Sequence, residues 1–447
     1  MTQQATVPPH ELRARFARGL SELYGREVPA YTTLVDVSQQ VNTEVLAERG
    51  SAAERLGDIA RVTAERHGAI RVGTPEELAQ VARVFGAVGM YPTGFYDLRE
   101  AAPSPVPVVS TAFRPVDKEE LARNPFRVFT SLLVPEDRRF FDAELEAKLK
   151  EFLSARRLFP EELLELADRA ESDGGLGEPA AERFLELATG AFALSGEPVD
   201  RAWYATLEQV SSVAADIGGV GSTHINHLTP RVLDIDALYE RMRARGVEMI
   251  DKIQGPPRRE GPDVLLRQTS FRALSEPRRF READGTVREG ALRVRFGEVE
   301  ARGIALTRAG RDLYDAALAS GGYEERMPRT ERELLARDLA FFTFRAVPER
   351  GGTPSSGDLL TLVDEGRLVP EPIVYEDFLP RSAAGIFSSN LTGEGSMDAS
   401  RDAAARDAAW LAEVVGRTVH DPYELYAAQR EASLREAAAR LGLPRIG

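Results

Sequence analysis

Hydrophobic spacing divides the chain into helical and extended stretches. From Glu11 to Tyr24 the apolar Leu12, Phe16, Leu20 and Leu23 recur at helical intervals, with Arg13, Arg15 and Arg18 elsewhere on the cylinder, which predicts a docking helix. Residues 31–65 continue as helix, punctuated by Gly50 and Gly57. Arg66 to Val72 then reads as a short strand with His67, Ala69 and Arg71 on one face. Thr74 as N-cap, Pro75 in the first turn and Glu77 closing a capping box predict a helix from Pro75 to about Phe85, ended by Gly86 and Gly89.

The same grammar returns in Ser222 to Arg231, which alternates like a strand and is expected to continue to about Leu233. His227, Thr229 and Arg231 would share one face and His224 the other. Asp234 caps a helix over Asp236–Arg245, stopped by Gly246. The interval from histidine to cap is seven residues in both places, His67 to Thr74 and His227 to Asp234. That match suggests a duplicated βαβββ-type module, although strand, cap and helix also follow one another without duplication. Strands are expected at Val108–Arg114 and Arg127–Val134 in the first half, and at Val264–Ala273 and Ala291–Glu300 in the second. Residues 143–196 read as an inserted helical subdomain. Helices dominate again beyond Arg302, as in Asp312–Ala319 and Arg329–Phe344, until an extended piece, Leu368–Leu379, leads into Pro380–Phe387. Ala427–Leu441 reads as a solvated amphipathic helix.

Composition narrows the chemistry. With 447 residues, 43% hydrophobic, the chain can bury a large core in an α+β arrangement of several subdomains. A net charge of −14 with interspersed signs argues against a nucleic-acid partner or an anionic membrane surface. There is no cysteine, so histidines and carboxylates are the side chains left to hold a metal. No apolar run approaches the ~18 residues of a membrane span, and the expected location is the cytoplasm.

Only five histidines occur, His10, His67, His224, His227 and His420. His227 alone reads either as a metal ligand or as a core histidine with a satisfied hydrogen bond. In the strand expected at residues 291–300, Leu292, Val294 and Phe296 share a face, and continuing that phase turns Glu298 and Glu300 inward. An inward carboxylate needs a neutralising partner, a metal ion or an arginine, unless the strand end has reached solvent. Two histidines and one carboxylate together suit Fe(II) and leave positions open for substrate and dioxygen. Arg71 lies about 13 Å along the strand from His67 on the same expected face, and a structural ion pair is one reading of it. Gly218–Gly221 lacks the lysine of a phosphate loop and precedes a strand, so it is set aside. His10, His224 and His420 are expected to be surface or structural.

His67…Arg71, Asn226-His227-Leu-Thr-Pro-Arg231, Phe296-Gly-Glu298-Val-Glu-Ala-Arg302-Gly and Tyr375-Glu-Asp-Phe-Leu-Pro…Ser382-Ala-Ala-Gly-Ile-Phe387 together resemble the 2-oxoadipate dioxygenase/decarboxylase family of the vicinal oxygen chelate superfamily. Phe296-Gly-Glu298-Val also resembles the metal-binding segment of 4-hydroxyphenylpyruvate dioxygenase, a comparison that selects Glu298 over Glu300. The resemblance implies a half-open β-barrel of paired βαβββ modules. It further implies an Fe(II) enzyme that converts 2-oxoadipate and O₂ into 2-hydroxyglutarate and CO₂ in lysine catabolism, with His67, His227 and Glu298 on the metal. Arg71, Gln268, Arg381 and Ser382 would bind substrate, the last two on a segment that closes over it; Arg381 stands where the family is expected to carry a small apolar residue.

The organisation expected is an N-terminal helical segment (1–65), a first module (66–142), inserted helices (143–200), a second module with metal ligands (201–306) and a mainly helical C-terminal region (307–447) with the closing segment at 375–390. Two alternatives stay open, a Zn²⁺- or Ni²⁺-dependent lyase or isomerase of the same fold and a non-catalytic 2-oxo acid binding protein. Such lyase sites commonly use four protein ligands, whereas three are evident.

Overall fold

The computed structural model describes residues 6–101, 105–293, 295–347, 357–379 and 397–447. A two-residue strand, β1 (Thr6–Val7), precedes helices α1 (Pro9–Glu27), α2 (Pro29–Arg49) and α3 (Ile59–Ala64). The docking helix is longer than its apolar stripe, and Leu12, Phe16 and Leu20 are buried as expected. Arg13 is buried with them, donates to the carbonyls of Val88 (2.8 Å) and Asn124 (3.0 Å) and pairs with the Glu120 carboxylate (3.1 Å), so its charge is met within the fold rather than in water.

The first mixed unit runs β2 (Arg66–Val72), α4 (Pro75–Ala87), β3 (Tyr91–Asp97), β4 (Val108–Arg114), α5 (Lys118–Arg123) and β5 (Arg127–Leu133). Thr74 and Glu77 form the expected capping box, but the helix passes through Gly86 and ends before Gly89, whose φ of +69° turns the chain. Strand β3 was not expected. Its Pro92 and Gly94 interrupt strand propensity, and a bulge between Thr93 and Tyr96 absorbs them. The sheet order is β3-β4-β5-β2-β8, where β8 is the later strand His227–Pro230, with β2 parallel to β5.

Helices α6 (Ala143–Ala155), α7 (Glu161–Asp173), α8 (Glu178–Ala191), α9 (Arg201–Val210) and α10 (Ser212–Gly218) follow, with two-residue strands β6 (Leu176–Gly177) and β7 (Val199–Asp200) between them. The stretch expected as one strand from Ser222 is a strand only at β8 (His227–Pro230). Residues 222–226 form a connecting segment, where Ile225 N–H donates to Phe192 O (3.0 Å) and Asn226 N–H to Ala69 O (2.8 Å). Strand alternation therefore does not govern His224. Helix α11 (Ile235–Ala244) follows, capped by Asp234.

The expected strand at 264–273 is confined to β9 (Leu266–Ser270). The one expected at 291–300 is two strands, β11 (Val287–Leu292) and β12 (Glu298–Arg302), because Arg295 turns inward to pair with Glu276 (2.9 Å) and Glu27. Strand β10 (Glu276–Arg281) forms a hairpin with β11. β12 pairs antiparallel with β9, and a parallel bridge from Arg231 to Glu300 joins β8 to β12. On the other side, Gln254 bridges Gln268 of β9 and Met249 bridges Phe271 just beyond it. Among the described residues there is no closed barrel. In the C-terminal region the helix expected over 329–344 is Glu331–Ala336, followed by strand β13 (Phe342–Ala346), which pairs with β14 (Leu368–Pro372).

Candidate metal centre

Three strands of different origin meet at one point. β2 and β8 run antiparallel with His67 opposite Thr229 and Ala69 opposite His227, so the two histidines sit diagonally on one face. The bridge between Arg231 and Glu300 then brings the start of β12 alongside. One ligand atom from each of His67, His227 and Glu298 lies within 4.8 Å of the others, and all three residues are buried. Nε2 of His67 is 3.6 Å, and Nε2 of His227 3.4 Å, from the Glu298 carboxylate.

The neighbours aim these atoms. His227 Nδ1 is 3.0 Å from Thr229 Oγ1, which leaves Nε2 for Glu298. His67 Nδ1 lies 2.9 Å from Glu300 Oε2, at ion-pair distance though not aligned as a full hydrogen bond. Phe296 stacks on the His227 ring at 5.3 Å, and Phe378 meets the His67 ring edge-on at 5.0 Å, so aromatic faces wall the site. Gln268 Nε2 donates to Glu298 Oε1.

Burial sets the charge states. It depresses both histidine pKa values, that of His227 well below the ordinary range, so the rings are neutral, as a metal requires. Burial, with the nearby Glu300, pushes Glu298 well above the ordinary carboxylate range. Burial also acts on Glu300, but Arg302, His67 and Arg127 outweigh it and hold that group at about 2. Arg302 grips Glu300 through two nitrogens (2.7 and 2.9 Å) and Arg127 approaches to 3.3 Å. Among the described residues no guanidinium stands at ion-pair distance from Glu298. Two neutral imidazoles and a carboxylate lacking a cationic partner form a donor set suited to a divalent ion.

Of the other expected residues, Gln268 is at the triad. Arg71 is buried and Nη1 donates to Asp216, so the structural pairing weighed for it is realised, while its charge is still felt at His227. Arg381 and Ser382 lie outside the described residues. His224 is buried, 3.4 Å from Asp216, and His420 makes backbone contacts with the β3 strand. His10 is part-exposed, 3.7 Å from Glu120. Sequence reasoning left Glu300, Arg302, Arg127 and Phe378 without roles. Their only local signal is the shared phase of Glu298 and Glu300; their partners are too distant in sequence to be read.

The sequence profile of the 2-oxoadipate dioxygenase/decarboxylase family matches residues 16–390. A Mycobacterium tuberculosis protein of that name is 57% identical over 430 residues, covering 95% of this chain and 98% of the relative. The chain belongs to the 2-oxoadipate dioxygenase/decarboxylase family. An Escherichia coli member is 41% identical over 453 residues, covering 96% of this chain and 98% of its own. The hydroxyglutarate synthase of Pseudomonas putida, solved in complex with 2-oxoadipate, superposes with a TM-score of 0.84 at 38% identity, covering 98% of this chain and 99% of that one. A putative glyoxalase superfamily protein from Ralstonia eutropha has a similar fold, with a TM-score of 0.50 at 20% identity, over 67% of this chain and 85% of that one. No described helix of this family member is long and apolar enough to cross a membrane.

Proposed function

We propose that the chain is a non-haem Fe(II) dioxygenase that converts 2-oxoadipate and O₂ into 2-hydroxyglutarate and CO₂ in the cytoplasm, within lysine catabolism. The observation that carries this reading is the buried convergence of His67, His227 and Glu298, in a chain whose relatives bear that activity in their name. These three residues would hold the iron. Iron, when bound, supplies the redox chemistry that joins O₂ to a 2-oxo acid with loss of its carboxylate as CO₂. One O₂ enters and one CO₂ leaves, and both oxygen atoms are accounted for in the products.

The chain's own side chains have three tasks. Thr229 and Glu300 fix the ring orientation of His227 and His67, so the donor atoms stay aimed at one point. Gln268 holds Glu298 and stands where it can also meet the substrate. Phe296 and Phe378 keep water from the rings. Arg71 would receive the far carboxylate, and Arg381 and Ser382 complete the set of substrate contacts. Three protein donors rather than four favour O₂ chemistry over a Zn²⁺ or Ni²⁺ lyase.

We read the strands as a vicinal oxygen chelate-like half-open barrel. β8, α11, residues 249–254, β9 and β12 repeat the order of β2, α4, β3, β4 and β5, with the β10–β11 hairpin added. The units are 1–65, 66–142, 143–200, 201–306 and 307–447. The test is O₂ uptake by the Fe(II)-reconstituted enzyme across a panel of 2-oxo acids, with product analysis. 2-Oxoadipate should be the best substrate and give 2-hydroxyglutarate; oxygen uptake with none of the acids overturns the reading.

A further inference from the structure

We propose that Asp216 is the positioning residue that gives the enzyme its preference for a 2-oxo acid with a second carboxylate, by holding Arg71 in place. The inference rests on the reading of Arg71 as the group that receives that carboxylate. Asp216 lies on α10, a helix buried along its whole length, and accepts from Arg71 Nη1. Its position is itself fixed: Asn226 Nδ2 donates to Oδ2 at 2.9 Å, and His224 Nε2 lies 3.4 Å from Oδ1 and 3.1 Å from Asn226 Nδ2. Asn226 immediately precedes the ligand His227, while Arg71 shares a face of β2 with the ligand His67. The anchor is thus tied to both histidine strands.

An arginine has several rotatable bonds, and a guanidinium that must meet a carboxylate at a set distance from a metal benefits from being held before substrate arrives. Asp216 also borders a cavity of about 240 Å³ with Ser222, His224 and Arg278, so this carboxylate lies at the edge of open space rather than within solid packing.

The test compares 2-oxoadipate with 2-oxohexanoate, which has the same chain length but no second carboxylate, on the Fe(II)-loaded parent, Asp216→Ala and Asp216→Asn. Asp216→Ala should raise KM for 2-oxoadipate by at least about tenfold, change KM for 2-oxohexanoate by no more than about twofold, and leave metal content and kcat for 2-oxohexanoate near the parent's. Asp216→Asn keeps an acceptor for Arg71 and should fall between parent and alanine variant. If neither variant folds, Asn226→Ser, which retains both charges but releases Asp216, should shift KM in the same direction by less. Equal changes for both acids, no change, or a lower KM for 2-oxoadipate overturns the proposal. A parent that does not prefer 2-oxoadipate removes the role of Arg71 instead, whereas a parent preference retained in the variants removes only that of Asp216.

Discussion

At the scale of single residues, the site is built by asymmetry between two glutamates two positions apart. Glu300 is neutralised by Arg302 and Arg127 and faces His67 Nδ1, while burial and Glu300 raise the Glu298 pKa, so that a cation bound there would take the place of its proton. Ligand-orienting partners of this kind are commonly worth tenfold to a hundredfold in metal affinity. Glu300→Gln should therefore weaken Fe(II) or Co(II) binding by roughly tenfold or more, measured by chelator competition, with Glu298 intact. Unchanged affinity would remove Glu300 from this role. His224 carries a pH effect on stability. Burial, opposed by Asp216, lowers its pKa to about 4 from the model-peptide value of 6.5. Below the unfolded value the unfolded chain takes up a proton that the folded chain refuses. The stabilisation is complete above about pH 6.5 and is lost as pH falls toward about 4. The melting temperature should drop through that window, and His224→Gln should flatten the drop.

At the scale of elements, Gly297 lets β12 begin where it does. A Cβ at this position would sit 1.8 Å from the Phe271 ring, so Gly297→Ala must shift β12 or Phe271. A loss of about 1–3 kcal/mol is expected in denaturant unfolding, together with weaker metal binding, because Glu298 is the next residue. Elements with local signals were legible in the sequence: the β2 strand, the capped start of the helix after Thr74 and the helix after Asp234 are found, although the first helix runs on through Gly86. Strand β3 was hidden by Pro92 and Gly94, and the break before Glu298 by the inward Arg295, whose partners Glu27 and Glu276 lie elsewhere in the chain. The inward phase of Glu298 holds in the structure even though the continuous strand assumed for it does not. Both glutamates share one face of β12 and reach His67 from two sides. Scarcity of histidine, the matched seven-residue interval and that phase brought His67, His227 and the two glutamates forward, and the family resemblance singled out Glu298, whereas Asp216 and Glu300 acquire partners only through tertiary contact.

At the scale of the molecule, Arg127 ties the chain's regions together beneath the site. Its guanidinium lies 2.8 Å from Glu65, at the end of the N-terminal helices, and 3.3 Å from Glu300 in the second half, and it also pairs with Glu376 near the C-terminal region. Arg231 reaches Glu65 at 2.9 Å, and Arg61 pairs with Glu376. Removing one member of such a buried network leaves uncompensated charge, and Arg127→Met should cost about 3–5 kcal/mol of unfolding free energy. A smaller loss, within about 1 kcal/mol, would mean that the remaining arginines suffice.

The central claim is that His67, His227 and Glu298 hold the iron that couples O₂ to 2-oxoadipate. It is tested most directly by loading parent and His227→Ala with Fe(II) without oxygen, then admitting O₂ with 2-oxoadipate while bound iron, O₂ consumed and CO₂ released are measured together. The parent is expected to retain one iron per chain and to consume one O₂ per CO₂. The variant, with an unchanged circular dichroism spectrum, is expected to lose both iron and oxygen uptake. Equal iron content and equal oxygen uptake in the two proteins would contradict the account.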